Sequence, residues 1–299
     1  MISKETAELF RVKPGTKVRL KDHNPGWTQT KEMKDLGKET IKKHAKDLLD
    51  KSLEKLAEAQ GLLWANDHYS ILMILQAMDA AGKDGTIKHV MSGVNPQGCQ
   101  VYSFKKPSAE ERDHNFLWRY MKCLPERGRI GIFNRSYYED VLIVKVHPQL
   151  IDEQQLPDGK RGKSFWDDRY DDINAFERHL VRNGTVIVKF FLNLSKKEQK
   201  RRFLERLDNP EKNWKFSAAD VAERAFWDDY MKAYEDALTA TSTEWAPWYI
   251  IPADHKWITR SIVADILTRT MTGLDLQYPK MSESATKALA EARRLLQEE

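Results

Sequence analysis

Between Tyr69 and Met271, short apolar runs alternate with stretches of helical periodicity. That alternation restricts the chain to an α/β architecture with a mainly parallel sheet. Strands are predicted at Tyr69 to Met78, Cys99 to Phe104, Arg129 to Phe133, Thr185 to Leu194 and Trp248 to Ile251. The run Val186, Ile187, Val188, Phe190, Phe191, Leu192 is the strongest of these, apolar on both faces as a strand between two helical layers must be. Helices are predicted over Gly82 to Ser92, Ser108 to Cys123, Tyr137 to Val146, Trp166 to Arg182, Ser195 to Leu207, Val221 to Leu238 and Trp257 to Met271. Ser108 with Glu111, and Ser195 with Glu198, have capping-box spacing.

Outside this unit, Pro14-Gly15 and Asn24-Pro25-Gly26 punctuate an irregular start. A helix is predicted from about Lys31 to Gln60, with Ile41, Ala45, Leu48, Leu49, Leu53, Leu56 and Ala57 on one face. Residues 1–65 therefore read as an extension for packing or oligomerisation, 66–280 as the α/β domain, and 281–299 as a charged helical tail. Aromatic residues at 10 % exclude disorder as the main state. Ile71 to Ala81 is the most apolar stretch, interrupted by Gln76 and Asp79, too short and too polar to cross a bilayer. The start has no apolar secretory core, and Cys99 and Cys123 form no CxxC pair, so a cytoplasmic location is expected. The formal net charge of +4 is weak support for nucleic-acid binding.

The first strand runs into Asp79-Ala80-Ala81-Gly82-Lys83-Asp84-Gly85-Thr86. A buried strand, a tight turn of small residues and a helix N-terminus aim backbone N–H groups at one anion, and Lys83 adds a mobile charge. The match to GxxxxGK[ST] is imperfect, with Ala77 for the first Gly and Asp84 after the Lys. Asp79 and Asp84 suit Mg²⁺ through oxygen ligands; both also suit helix capping. At the end of the third strand, Arg135 falls near this loop by the carboxyl-end rule, although it has Glu139 within reach. Arg112 and Arg119 share one helical face, as surface residues or phosphate contacts. The segment Lys196 to Lys215 is densely basic and follows the strongest strand, where a lid belongs; Arg201 and Arg202 are its candidate anion ligands.

These motifs taken together resemble polyphosphate kinase family 2. The resemblance rests on the Asp79–Thr86 loop, His114-Asn115-Phe116-Leu117-Trp118-Arg119, Phe133-Asn134-Arg135-Ser136-Tyr137-Tyr138-Glu139-Asp140, and Lys200-Arg201-Arg202-Phe203. It also rests on Trp214-Lys215-Phe216-Ser217 and Ala246-Pro247-Trp248 leading to Pro252-Ala253-Asp254, and it spans Asp22 to Tyr278. The Asn-Arg-Ser-Tyr-Tyr-Glu form is most similar to the class III branch. The resemblance implies a P-loop kinase fold like that of thymidylate kinases, with a lid over about 195–225. It implies Mg²⁺-dependent phosphoryl transfer from inorganic polyphosphate to nucleoside mono- and diphosphates, AMP to ADP and ADP to ATP, reversible in principle. Homodimers or homotetramers are the family habit. Asp79, Lys83 and Arg135 would be catalytic; Gly82, Asp84, Gly85, Thr86, Arg119, Arg201, Arg202 and Arg206 would hold phosphates. Asp79, Asn134 and Glu139 would serve the metal. Asn134 departs from branches with Asp there, and Glu139 or Asp140 would restore the charge. Two other readings stand beside it: an ATP-dependent nucleoside monophosphate kinase, which needs the same loop, and a non-catalytic protein that binds polyphosphate or nucleic acid through Lys196 to Lys215, which leaves the Asp79–Lys83 loop without purpose.

Overall fold

The computed structural model describes residues 4–29 and 35–299. Five strands form one sheet in the order β2-β3-β1-β4-β5. They are β1 Ser70–Gln76, β2 Cys99–Ser103, β3 Ile130–Asn134, β4 Thr185–Asn193 and β5 Trp248–Pro252, and every pairing is parallel. Seven longer helices are α1 Lys38–Asn66, α2 Lys83–Val90, α3 Lys163–Arg182, α4 Lys196–Asp208, α5 Trp227–Thr241, α6 Lys256–Thr272 and α7 Glu283–Glu298.

The alternation of side chains along each strand divides the core. On one face Ile71, Met73, Ile132, Val188 and Phe190 meet Leu56 and Leu63 of α1, Ile87 of α2 and Ile262 and Ile266 of α6. On the other, Leu72, Ile74, Phe133, Ile187 and Phe191 meet Ile173 and Phe176 of α3 and Tyr234 and Leu238 of α5. Every residue of β1 is buried, as a central parallel strand requires.

The N-terminal segment packs onto this unit. Ser261 and Thr268 of α6 donate hydroxyl hydrogen bonds to the carbonyls of Ala45 (2.6 Å) and Ser52 (3.0 Å), so α1 and α6 run side by side in the same direction. Residues 10–12 form an antiparallel bridge along β5, with Val12 N–H on the Trp248 carbonyl (2.8 Å) and Ile250 N–H on that of Phe10 (2.7 Å). The part of the expected first helix over 31–34 lies outside the described residues; the described helix begins at Lys38 and runs six residues past Gln60.

Three expected helices are broken. Ser108 to Cys123 holds only the turns Ala109–Arg112 and Trp118–Met121. The Ser108–Glu111 capping box forms, but Asn115 accepts from Leu117 N–H (3.1 Å), a local bond that competes with helix continuation. Tyr137 to Val146 is a 3₁₀ turn, Tyr137–Val141, followed by Ile143–Val146. Val221 to Leu238 is interrupted by a 3₁₀ turn at Glu223–Phe226, where the Glu223 carboxylate holds Tyr230 (2.7 Å) and His147 (2.9 Å). At α4 the Ser195 cap forms, but the Glu198 carboxylate turns to Arg201 and Arg202, and Asp254 takes the Ser195 N–H instead (2.8 Å).

Candidate active site

β1 lies next to β3, so the loops leaving their carboxyl ends meet. The loop after β1 needs two left-handed residues, Ala80 (φ +62°) and Gly82 (φ +104°), to turn into α2. Gly82 takes that conformation freely; Ala80 carries a strain of about 1–2 kcal/mol. Lys83, the first residue of α2, is buried and donates to the Ala77 carbonyl (2.9 Å). Burial, then the neighbouring Arg135 guanidinium, pulls its ammonium below the ordinary lysine value against Asp79, Glu139 and Asp84. Arg135 is itself left-handed (φ +66°), and its guanidinium meets the Asp79 carboxylate at 2.9 Å. Asp84 accepts from the Asn134 amide (2.8 Å), which also reaches Ser103 (3.3 Å). Asp79, Gly82, Lys83, Asp84, Gly85, Thr86, Asn134 and Arg135 thus line one cleft of about 600 Å³.

The lid arginines separate. Arg202 is buried and spends all five donors on the protein: Glu198 (2.8 Å), the carbonyls of Ala80 and Ala81 (2.9 Å each), and those of Ala253 (2.6 Å) and Asp254 (3.1 Å). It straps the phosphate loop to the loop after β5. Arg201, one residue away, points outward, 60 % exposed and paired with Glu198 (2.7 Å) and Glu205 (3.3 Å). It does not line the cleft. Arg206 does, with Asp220 at 3.8 Å.

Arg119 is also outside the loop cleft. It donates to the Lys105 carbonyl (2.8 Å) and Glu111 (3.3 Å) and lies over the rings of Phe104 and Tyr120. With Glu139, which accepts from Gln76 (3.0 Å), it lines an adjoining cavity of about 260 Å³. Arg135 belongs to both spaces. The walls of the second are partly apolar, from Phe104, Tyr120, Ile143, Val144 and Leu150. A further hollow of about 490 Å³, beside Phe116, Phe165 and Arg169, continues outward past Asp140.

Four cleft cations were missed in the sequence: Lys105 and Lys106 after β2, and Lys256 and Arg260 in the first turn and a half of α6. Their position just beyond strand carboxyl ends was the available signal. Burial, then Arg202, lowers both Lys256 and Arg260 from their ordinary values, so the protein leaves this positive charge incompletely neutralised. An anion fits here.

For a divalent cation, the donors fit a hard ion: Asp79 and Asp84 bring carboxylates to the same cleft. Among the described residues no group of three His, Cys, Asp or Glu could hold a metal. A cation here would complete its shell with phosphate and water oxygens, as Mg²⁺ commonly does. Asn134 turns its NH₂ toward Asp84. Among the described residues no helix is long and apolar enough to cross a membrane.

Comparison with known proteins matches residues 39–279 to the sequence model of polyphosphate kinase 2. An ADP-polyphosphate phosphotransferase of Rhodopseudomonas palustris is 56 % identical over 85 % of this chain and 89 % of its own. An AMP/ADP-polyphosphate phosphotransferase of Meiothermus ruber is 44 % identical over 94 % of this chain and 99 % of its own. The crystal structure of polyphosphate kinase 2 from Arthrobacter aurescens superposes with a TM-score of 0.83 at 42 % identity, covering 96 % of each chain.

Proposed function

The chain belongs to the polyphosphate kinase 2 family, and we propose that the cleft around Lys83 aligns a polyphosphate chain with the phosphate of a nucleotide held in the adjoining cavity. The enzyme is a kinase-type transferase with a P-loop kinase fold, moving phosphoryl groups from polyphosphate to nucleotides. The observation that carries the arrangement is Arg135, paired with Asp79 at 2.9 Å and shared by the basic cleft and the partly apolar cavity. A polyanion of repeating phosphates suits Lys105, Lys106, Arg206, Lys256 and Arg260; a nucleoside suits walls of Phe104 and Ile143. The two other readings of the sequence find no counterpart in the relatives named above.

In this mechanism the residues position and neutralise. The acceptor phosphate is already anionic, so no strong general base is required. Lys83 bridges the transferring group, Arg135 holds the acceptor phosphate and offsets charge as the bond to the donor breaks, and Asp79 fixes the Arg135 fork. The N–H groups at the start of α2, through Gly85, face the donor, while the Thr86 N–H is bonded to the Gly82 carbonyl (2.9 Å). Mg²⁺, held by Asp79 and Asp84, would neutralise phosphate oxygens. Arg206 closes over the donor from the lid, and Arg201 joins it only if α4 turns. We take both AMP and ADP as acceptors, the protein as a cytoplasmic homodimer or homotetramer, and 66–280 as the kinase domain.

Purified protein is incubated with AMP or ADP, polyphosphate and Mg²⁺, and nucleotides are resolved by chromatography. Formation of ADP from AMP and ATP from ADP, both lost in Lys83→Ala, is the expected result. ATP from ADP alone would discard the monophosphate acceptor, and transfer only from ATP would overturn the reading.

A further inference from the structure

Behind the cleft lies a charged pair that touches no substrate space. Glu177 of α3 and Lys189 of β4 are both fully buried and meet at 2.6 Å. Lys189 uses its other two donors on the Tyr138 hydroxyl (2.9 Å) and the Thr241 carbonyl (2.7 Å). The hydroxyls of Tyr137 and Tyr138 both donate to one oxygen of Glu177, at 2.9 and 2.8 Å. Two consecutive residues converge on a single atom. An extended chain would send them to opposite sides, so their convergence requires the 3₁₀ turn Tyr137–Val141, capped by Ser136, whose hydroxyl accepts from Tyr138 N–H (3.3 Å).

Arg135 stands two residues before this turn. Its left-handed backbone is strained and persists only where the surroundings impose it. On one side Arg135 N–H is fixed to the Leu75 carbonyl of β1 (3.1 Å). On the other, the two tyrosines are tied to Glu177. A buried ion pair is seldom more stabilising than apolar residues of the same volume, so stability alone gives little reason for it here. What the charge adds is strong, directional bonds to two hydroxyls.

We propose that the Glu177–Lys189 pair is a positioning device for Arg135, locking the Tyr137–Tyr138 turn so that the guanidinium stays aimed at Asp79 and the acceptor phosphate. The inference rests on the role given to Arg135 above. Tyr137→Phe/Tyr138→Phe removes both hydroxyl bonds to Glu177 and the Lys189 bond to Tyr138, and keeps both rings. The variant is expected to keep its circular dichroism, to lose at least tenfold in kcat, and to keep the polyphosphate KM within about twofold. Placed in an Arg135→Lys background, the same two changes are expected to cost less than threefold, because the group they aim is gone. An independent arm is Glu177→Leu/Lys189→Met, which leaves the buried Tyr137 hydroxyl and Thr241 carbonyl without these partners; it is expected to melt earlier than wild type and, assayed well below its melting point, to lose kcat as the tyrosine variant does. Full kcat in either folded variant, or losses that multiply with Arg135→Lys, would overturn the proposal. If the double tyrosine variant does not fold, Tyr138→Phe carries the same cycle. Wild-type transfer from polyphosphate, run alongside, tests the reading of the site separately.

Discussion

Replacing Arg202 by Lys tests whether this residue acts through the loop or on the substrate. Its guanidinium fills five acceptors, four of them backbone carbonyls at Ala80, Ala81, Ala253 and Asp254. A lysine ammonium has three donors, so at least two of the five bonds are lost. At about 1.5 kcal/mol for each bond to a charged donor, the lower end of the usual range, the loss is about 3 kcal/mol. With an unfolding entropy of about 2.1 cal/mol/K per residue, a chain of 299 residues loses about 5 °C in Tm. Two of the released carbonyls flank the strained Ala80 turn, so the loop amides move off their aim and kcat falls by about tenfold or more. Scanning calorimetry gives the first number and initial rates at saturating polyphosphate give the second. A direct ligand of polyphosphate would behave differently: its KM would rise with Tm unchanged. A melting point within 1 °C of wild type, with a raised KM, would refute the strap.

Three other perturbations follow from the site. Burial pushes Asp140 up to about 7, so the folded protein binds a proton there that the unfolded chain releases near 4. That contribution to stability is complete below pH 4 and is lost as pH rises through about 7, at about 1.4 kcal/mol per pH unit across the window; Asp140→Asn, melted at pH 5 and pH 8, should show a smaller fall in Tm than wild type. Lys256→Glu and Arg260→Glu are expected to raise the polyphosphate KM about tenfold each with kcat within twofold, and added salt should shrink the difference, as measured by initial rates across ionic strength. Asp84→Asn is expected to raise the Mg²⁺ concentration for half-maximal rate about tenfold, read from a metal titration, while Glu139→Gln leaves it unchanged because Glu139 faces the adjoining cavity.

Much of this was legible because strands and phosphate loops depend on near neighbours. The run Ile71 to Leu75 announces a strand buried on both faces, and Gly82-Lys83 after it announces an anion turn. The placement of Arg135 beside Asp79 followed from the carboxyl-end rule. Strand order was not legible, since parallel neighbours are joined by long crossovers that leave no local mark. Helical spacing could not separate Arg201 from Arg202: consecutive residues lie about 100° apart on a helix, and only the packing of α4 against Ala80 and Ala253 decides which one turns inward. The breaks at Asn115 and Glu223 escaped periodicity because side-chain bonds make them, to a near backbone N–H in one case and to distant partners in the other.

The bridge between residues 10–12 and β5 has a consequence for how this chain survives its own synthesis. β5 is the last strand of this sheet to be made, and without a neighbour its free edge of N–H and C=O groups is a template for another chain. The segment that covers it precedes it in the chain, so the protecting piece is made first and waits for the edge it guards. Removing residues 4–12 would leave β5 uncovered in an otherwise complete fold, a molecule prone to aggregate by sheet extension.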